Sequence, residues 1–205
     1  MAPGDIAAFD VDRTLTRRDC VLPFLTRVAG RVRVAAALGR CLPLLVASTR
    51  HRQRRDDVKA ALSRSVFAGR AAVDVERAGK EFAGEVADRW LRDDVVRRLA
   101  WHVDSGHQVV LVTASFAAYV RPLAHRLGAA HVVATELEVV DGQLTGRLAG
   151  GNCRGDEKVR RLAALFGDPA PLAWAYGDSR DDRPLLAAAR HPVLIDGSPL
   201  EPVPA

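Results

Sequence analysis

With 205 residues, 48% of them apolar and 27% charged, the chain can bury a full core with an insertion and has the make-up of a soluble globular protein. Much of its net charge of +5 is scattered arginine, which suits an anionic ligand without marking a polyanion-binding surface. The three cysteines, Cys20, Cys41 and Cys153, have no metal-ligand spacing and read as reduced thiols of a cytoplasmic protein, which excludes a disulfide scaffold. No signal peptide is expected, because the N-terminus runs straight into a strand.

That strand, Ile6-Ala7-Ala8-Phe9, is an apolar run ending at two carboxylates, Asp10 and Asp12. Residues at i and i+2 of an extended chain point the same way, so the two acids can converge. Their repulsion would force a proton onto one of them, and a divalent cation removes the conflict. From Asp19 to about Gly106 the pattern is helical, with Gly30, Gly39, Gly69 and Gly106 as breaks. Val34 to Ser48 is too short to span a bilayer, contains Arg40 and Pro43, and reads as a buried helix broken near Pro43.

Strands and helices then alternate. Strands are predicted at 108–112, 131–134, 172–176 and 193–195, helices at 116–127, 156–166 and 183–189, and a hairpin turns at Asp141-Gly142. This alternation predicts an α/β fold, a Rossmann-like parallel sheet covered by helices. The helical block, cut off between the first two strands, reads as an inserted cap at 17–92. The core is then 1–16 and 93–205. The Pro-rich end, 198–204, reads as a frayed tail.

Ligands of such sheets sit beyond the carboxyl ends of the strands. Besides Asp10 and Asp12, those ends carry Thr113-Ala114-Ser115 ahead of a helix, where backbone N–H groups favour phosphate, and Gly177-Asp178-Ser179-Arg180-Asp181-Asp182. Lys158 lies in the first turns of a helix between them. An oxygen nucleophile, a cation site, donors and an acid are what phosphoryl displacement requires, and Mg²⁺ prefers a few carboxylates and waters.

In this order the motifs resemble those of the haloacid dehalogenase (HAD) superfamily, subfamily IB, the phosphoserine-phosphatase-like branch. Phe9 to Thr16, Val110 to Thr113, Asn152 to Lys158 and Gly177 to Asp182 correspond to its four motifs. The resemblance implies a HAD core with a type-1 (C1) helical cap and Mg²⁺-dependent hydrolysis of a small-molecule phosphomonoester through an aspartyl phosphate. Asp10 would be the nucleophile and a metal ligand. Asp12 would be the acid and base, and its main-chain carbonyl would touch the metal. Thr113 would hold a phosphoryl oxygen, and Lys158 would neutralise Asp10 and the phosphate. Asp178 would complete the metal site, with Asp182 anchoring the lysine or a metal-bound water.

The chain departs from the family pattern at Ala114, Ser115, Arg13 and Asp181, which would line the substrate side. A carboxylate at Asp181 would disfavour a substrate carboxylate. The expectation is therefore a neutral or cationic phosphomonoester rather than phosphoserine. Other readings have less support. The basic run at 50–55 is followed at once by Asp56-Asp57 and has no aromatic platform, so no nucleic-acid partner is expected. An interfacial helix at 34–48 would be the only route to a membrane, and no stable insertion is expected. A phosphate-binding protein without turnover would not need Asp12, and dehalogenation would need neither Asp12 nor a metal.

Overall fold

Every residue of β1 (Ile6–Phe9) is buried, as a strand covered on both faces requires. In the computed structural model, which describes residues 5–47 and 51–200, β1 lies between β2 (Gln108–Phe116) and β5 (Leu172–Gly177), parallel to both. With β3 (His131–Val140), β4 (Gln143–Ala149) and β6 (His191–Leu194) they form one sheet in the order β4-β3-β2-β1-β5-β6. Only β3 and β4 pair antiparallel, through the hairpin at Asp141-Gly142. The chain moves outward on one side of β1 and returns on the other. The strand order therefore reverses beside β1, where such sheets bind ligands.

Between β1 and β2 come α1 (Val21–Ala29), α2 (Arg31–Ala47), α3 (His51–Phe67), α4 (Ala72–Arg89) and α5 (Asp93–Asp104). The segment leaves and rejoins the sheet side by side: Thr16 and Leu91 form an antiparallel bridge, and Arg17 N–H donates to the Trp90 carbonyl at 2.7 Å. Helices α6 (Ala117–Leu127), α7 (Asp156–Phe166) and α8 (Arg183–Ala187) follow later strands. Phe24, Phe67 and Phe82 of the inserted helices pack on Phe116 and Tyr119, so the insertion and one face of the sheet share a single apolar cluster. Gly79 lets α4 press on α6, since a Cβ there would lie 2.1 Å from the Ala118 carbonyl oxygen.

Three expectations shift. The helix α2 continues through both Gly39 and Pro43, residue propensity being a weak prior against a long helical run. Gly30, Gly69 and Gly106 do mark helix ends, with φ of 80°, 75° and 74°. The strand β2 runs on to Phe116, so Thr113-Ala114-Ser115 belong to a strand end. The last strand is 191–194, two residues earlier than its pattern suggested at the start. Ser48, Arg50 and residues 201–205 lie outside the described residues, taking with them parts of the apolar stretch, the basic run and the Pro-rich tail. Among the described residues no helix is long and apolar enough to cross a membrane.

Candidate active site

The C-terminal ends of β1, β2 and β5 and the start of α7 open into a cavity of about 440 Å³, with α1 and α3 forming its far wall. Asp10 prolongs β1, its N–H donating to the Tyr176 carbonyl at 2.9 Å. A tight turn follows, with Arg13 at φ 62°, uncommon for a residue with a side chain. Thr16 closes it: its N–H and Oγ1–H donate to the Val11 carbonyl at 3.0 and 3.1 Å. The turn carries the Asp12 side chain away from Asp10. Oδ1 of Asp12 accepts the Cys20 N–H at 2.7 Å, and Oδ2 accepts the Ser115 hydroxyl, which in turn accepts from Tyr119.

Lys158, buried in the first turn of α7, donates to Asp10 Oδ1 and Asp182 Oδ1, both at 2.5 Å. Asp182 is fixed on its other oxygen by Ser179, whose N–H and hydroxyl donate at 3.1 and 2.7 Å. The turn that delivers Asp182 needs Gly177, where a Cβ would stand 2.5 Å from the Asp182 Cβ. Asp178 is half-buried and receives the Thr14 hydroxyl at 3.5 Å.

Burial dominates the electrostatics. It raises Asp10 to about 8 against the pull of Lys158. It also raises Asp12 to about 6, helped by the nearby Asp19. Burial alone would depress Lys158, but Asp10 and Asp182 hold it well above its ordinary value. Burial would raise Asp182 too, yet Lys158 and Ser179 keep it low. Asp178 is raised by burial and by Asp182.

Oxygens of Asp10, Asp178 and Asp182 lie within 4.8 Å of one another. Three hard carboxylate donors against one lysine leave the negative excess that a divalent cation offsets, and the set fits Mg²⁺. The Asp12 side chain is not part of this group, being turned toward Cys20 and Ser115.

Thr113, Ala114, Arg13 and Asp181 line the cavity. Ser115, expected on the substrate side, does not: it is buried and its hydroxyl donates to Asp12, because the register of β2 against β3 shifts between Val112 and Phe116 and the strand alternation that would place it on the face of Thr113 does not carry through. Asp181 is met by Arg154 at 2.6 Å and Arg55 at 3.6 Å, so its charge is paired. Lys59 of α3 also reaches the cavity, and burial draws it down to about 7. Sequence reasoning did not single out Lys59, Arg154 or Tyr119. Arg154 stood inside a quoted motif, whereas one lysine on a helix rich in charge carries no signal of its own.

The model of the haloacid dehalogenase-like hydrolase family matches residues 7–187, a span holding every site residue above. The chain belongs to that family. It is a phosphatase-like hydrolase of the family, similar to Protein CicA of Caulobacter vibrioides, with 38% identity over 185 residues, 90% of this chain and 82% of CicA. A probable phosphatase of Mycobacterium tuberculosis is 29% identical over 197 residues, 93% of this chain and 68% of that one. A substrate-bound phosphoserine phosphatase structure matches with a TM-score of 0.60, covering 92% of this chain and 84% of its own, at 17% identity; that likeness is one of fold.

Proposed function

We propose that this HAD hydrolase cleaves small-molecule phosphomonoesters with Asp10 as nucleophile and Mg²⁺ as cofactor. The observation that carries the reading is the buried Asp10–Lys158–Asp182 array, joined at 2.5 Å on both sides, with a second acid, Asp12, held apart from it. A purely structural ion pair would not need that separate, near-neutral acid.

An Asp10 oxygen attacks phosphorus, and the ester P–O bond breaks. Lys158 orients Asp10 and offsets charge on the phosphoryl oxygens, while the Thr113 hydroxyl and the amides beside it supply further donors. Asp12, whose protonated form burial favours well above the ordinary carboxylate range, gives its proton to the departing alkoxide. It then takes a proton from water, whose oxygen attacks phosphorus, breaks the bond to Asp10 and releases phosphate. Bound Mg²⁺, held by Asp10, Asp178 and the Asp12 carbonyl, would neutralise charge on the phosphoryl oxygens. The insertion at 17–92 serves as a cap that shields the site from water.

Pairing of Asp181 with Arg154 and Arg55 removes the argument that it rejects a substrate carboxylate, so anionic leaving groups stay in the reading. The three free, buried cysteines fit the reducing setting of the cytoplasm, which stays part of the reading. A phosphate-release screen over amino-acid, amino-alcohol and sugar phosphates tests the proposal. Turnover should require Mg²⁺, stop with EDTA and vanish in Asp10→Asn. Full activity in thoroughly chelated protein, or in that variant, would overturn it.

A further inference from the structure

Lys59 belongs to the inserted helix α3, yet its ammonium is spent on the sheet. It donates to the Ala114 carbonyl, to Asn152 Oδ1 at 2.7 Å and to Thr135 Oγ1 at 3.1 Å, and lies 4.6 Å from the centre of the Phe116 ring. All three acceptors are neutral. A half-buried cation held this way adds little stability, because desolvation offsets much of what the hydrogen bonds return. The same seam continues beside it, where Asn152 Nδ2–H donates to Asp56 of α3 at 2.6 Å.

The Ala114 carbonyl is one end of a planar trans peptide whose other end is the Ser115 N–H. The two point in opposite directions, so anchoring one aims the other. That N–H donates to Thr113 Oγ1 at 3.1 Å. It thereby occupies a lone pair of the Thr113 hydroxyl and leaves the O–H to donate into the cavity, whose wall Thr113 lines. On the far side, Thr135 Oγ1 lies 2.8 Å from the same Ala114 carbonyl and accepts the Cys153 N–H at 3.1 Å, tying in the loop that leads to Lys158.

We infer that Lys59 is a positioning residue which, through the Ala114–Ser115 peptide, aims the Thr113 hydroxyl at the phosphoryl group. Seating α3 against the sheet and completing the phosphate cradle are then a single event. This rests on the phosphatase reading above.

The test is a double-mutant cycle of Lys59→Met and Thr113→Val, with steady-state kinetics on the best phosphomonoester of the screen and Mg²⁺ present. Lys59→Met should lower kcat roughly tenfold to a hundredfold, less than the roughly hundred- to thousandfold of a transition-state donor removed outright because the Thr113 hydroxyl is misaimed rather than lost, and leave KM nearly unchanged. The double variant should match Thr113→Val alone, since nothing remains to be aimed. Ethylammonium should restore part of kcat to Lys59→Ala and none to Thr113→Val. A wild-type kcat in Lys59→Met, a rise in KM alone, or full additivity in the cycle would each overturn the assignment. If Lys59→Met does not fold, Lys59→Gln goes through the same cycle under the same criteria. An inactive wild-type enzyme would sink the phosphatase reading instead. The Ser115 amide resonance would still judge Lys59: it should move and lose exchange protection in the variant, and an unmoved resonance overturns the positioning role.

Discussion

Asp12 shows how one carboxyl is tuned by its neighbours. Burial lifts it to about 6, Asp19 adds repulsion, and the hydrogen bonds from Ser115 and from Cys20 pull it back down. A donor to the ionised form favours that form. Removing the hydroxyl in Ser115→Ala should therefore raise Asp12 further, by roughly one unit for a lost charge-assisted bond of about 1.4 kcal/mol. The reaction's first step needs Asp12 protonated, so the alkaline limb of the pH–kcat/KM profile should move to higher pH. A limb that stays put, or moves down, would show that Asp12 is not the acid. Tyr119 donates to the same Ser115 oxygen, so Tyr119→Phe should shift the limb in the same direction and by less.

At the scale of elements, two glycines set distances that no side chain could. A Cβ at Gly79 would meet the Ala118 backbone of α6, and one at Gly177 would meet Asp182. Gly79→Ala should cost about 1–3 kcal/mol of stability by chemical denaturation, the usual price of overpacking. Gly177→Ala should remove activity out of proportion to stability, because it pushes Asp182 off Lys158. Equal, small effects of both on kcat would argue against that division. The sequence made the strands legible because β1, β2 and β5 are buried on both faces and read as apolar runs ending in polar residues. Asp10, Thr113, Lys158 and Asp182 were legible for the same reason, each standing at a strand or helix end. The extension of β2 to Phe116 was not, since Thr113 and Ser115 look like a turn until their hydrogen bonds to Ser115 N–H and Asp12 are seen. Nor were the partners of Asp181 and Lys59: Arg154 stands 27 residues from Asp181, Arg55 meets it across the insertion seam, and the acceptors of Lys59 stand 55 to 93 residues away, ranges at which pairing leaves no local pattern.

Over the whole molecule, the site is tied to a buried network packed against the same strands. Arg98 Nη1–H donates to Tyr176 Oη at 3.4 Å, which leaves the tyrosine O–H to donate to His102 Nε2 at 2.8 Å. The remaining His102 nitrogen, Nδ1, then carries the hydrogen shared with His107 Nδ1 at 2.8 Å. Every donor has one acceptor only while His102 is neutral. Burial, reinforced by His107 and Arg98, lowers His102 from 6.5 to about 3. Tyr176 stacks on Phe9 with centroids 4.2 Å apart, and its carbonyl accepts the Asp10 N–H, so the network supports the strands that carry the nucleophile. The unfolded chain takes up a proton on this histidine below pH 6.5, whereas the folded one does so only near 3. The stability this histidine contributes is therefore complete above pH 6.5 and is lost as the pH falls toward 3, with a slope approaching about 1.4 kcal/mol per pH unit. His102→Gln offers an acceptor to Tyr176 and a donor to His107 without a titrating group. Its stability relative to wild type, from urea unfolding at a series of pH values, should rise steadily between pH 6.5 and 3. A difference that does not vary with pH across that window would mean that His102 is protonated in the folded protein, and the neutral relay from Arg98 to His107 would have to be abandoned.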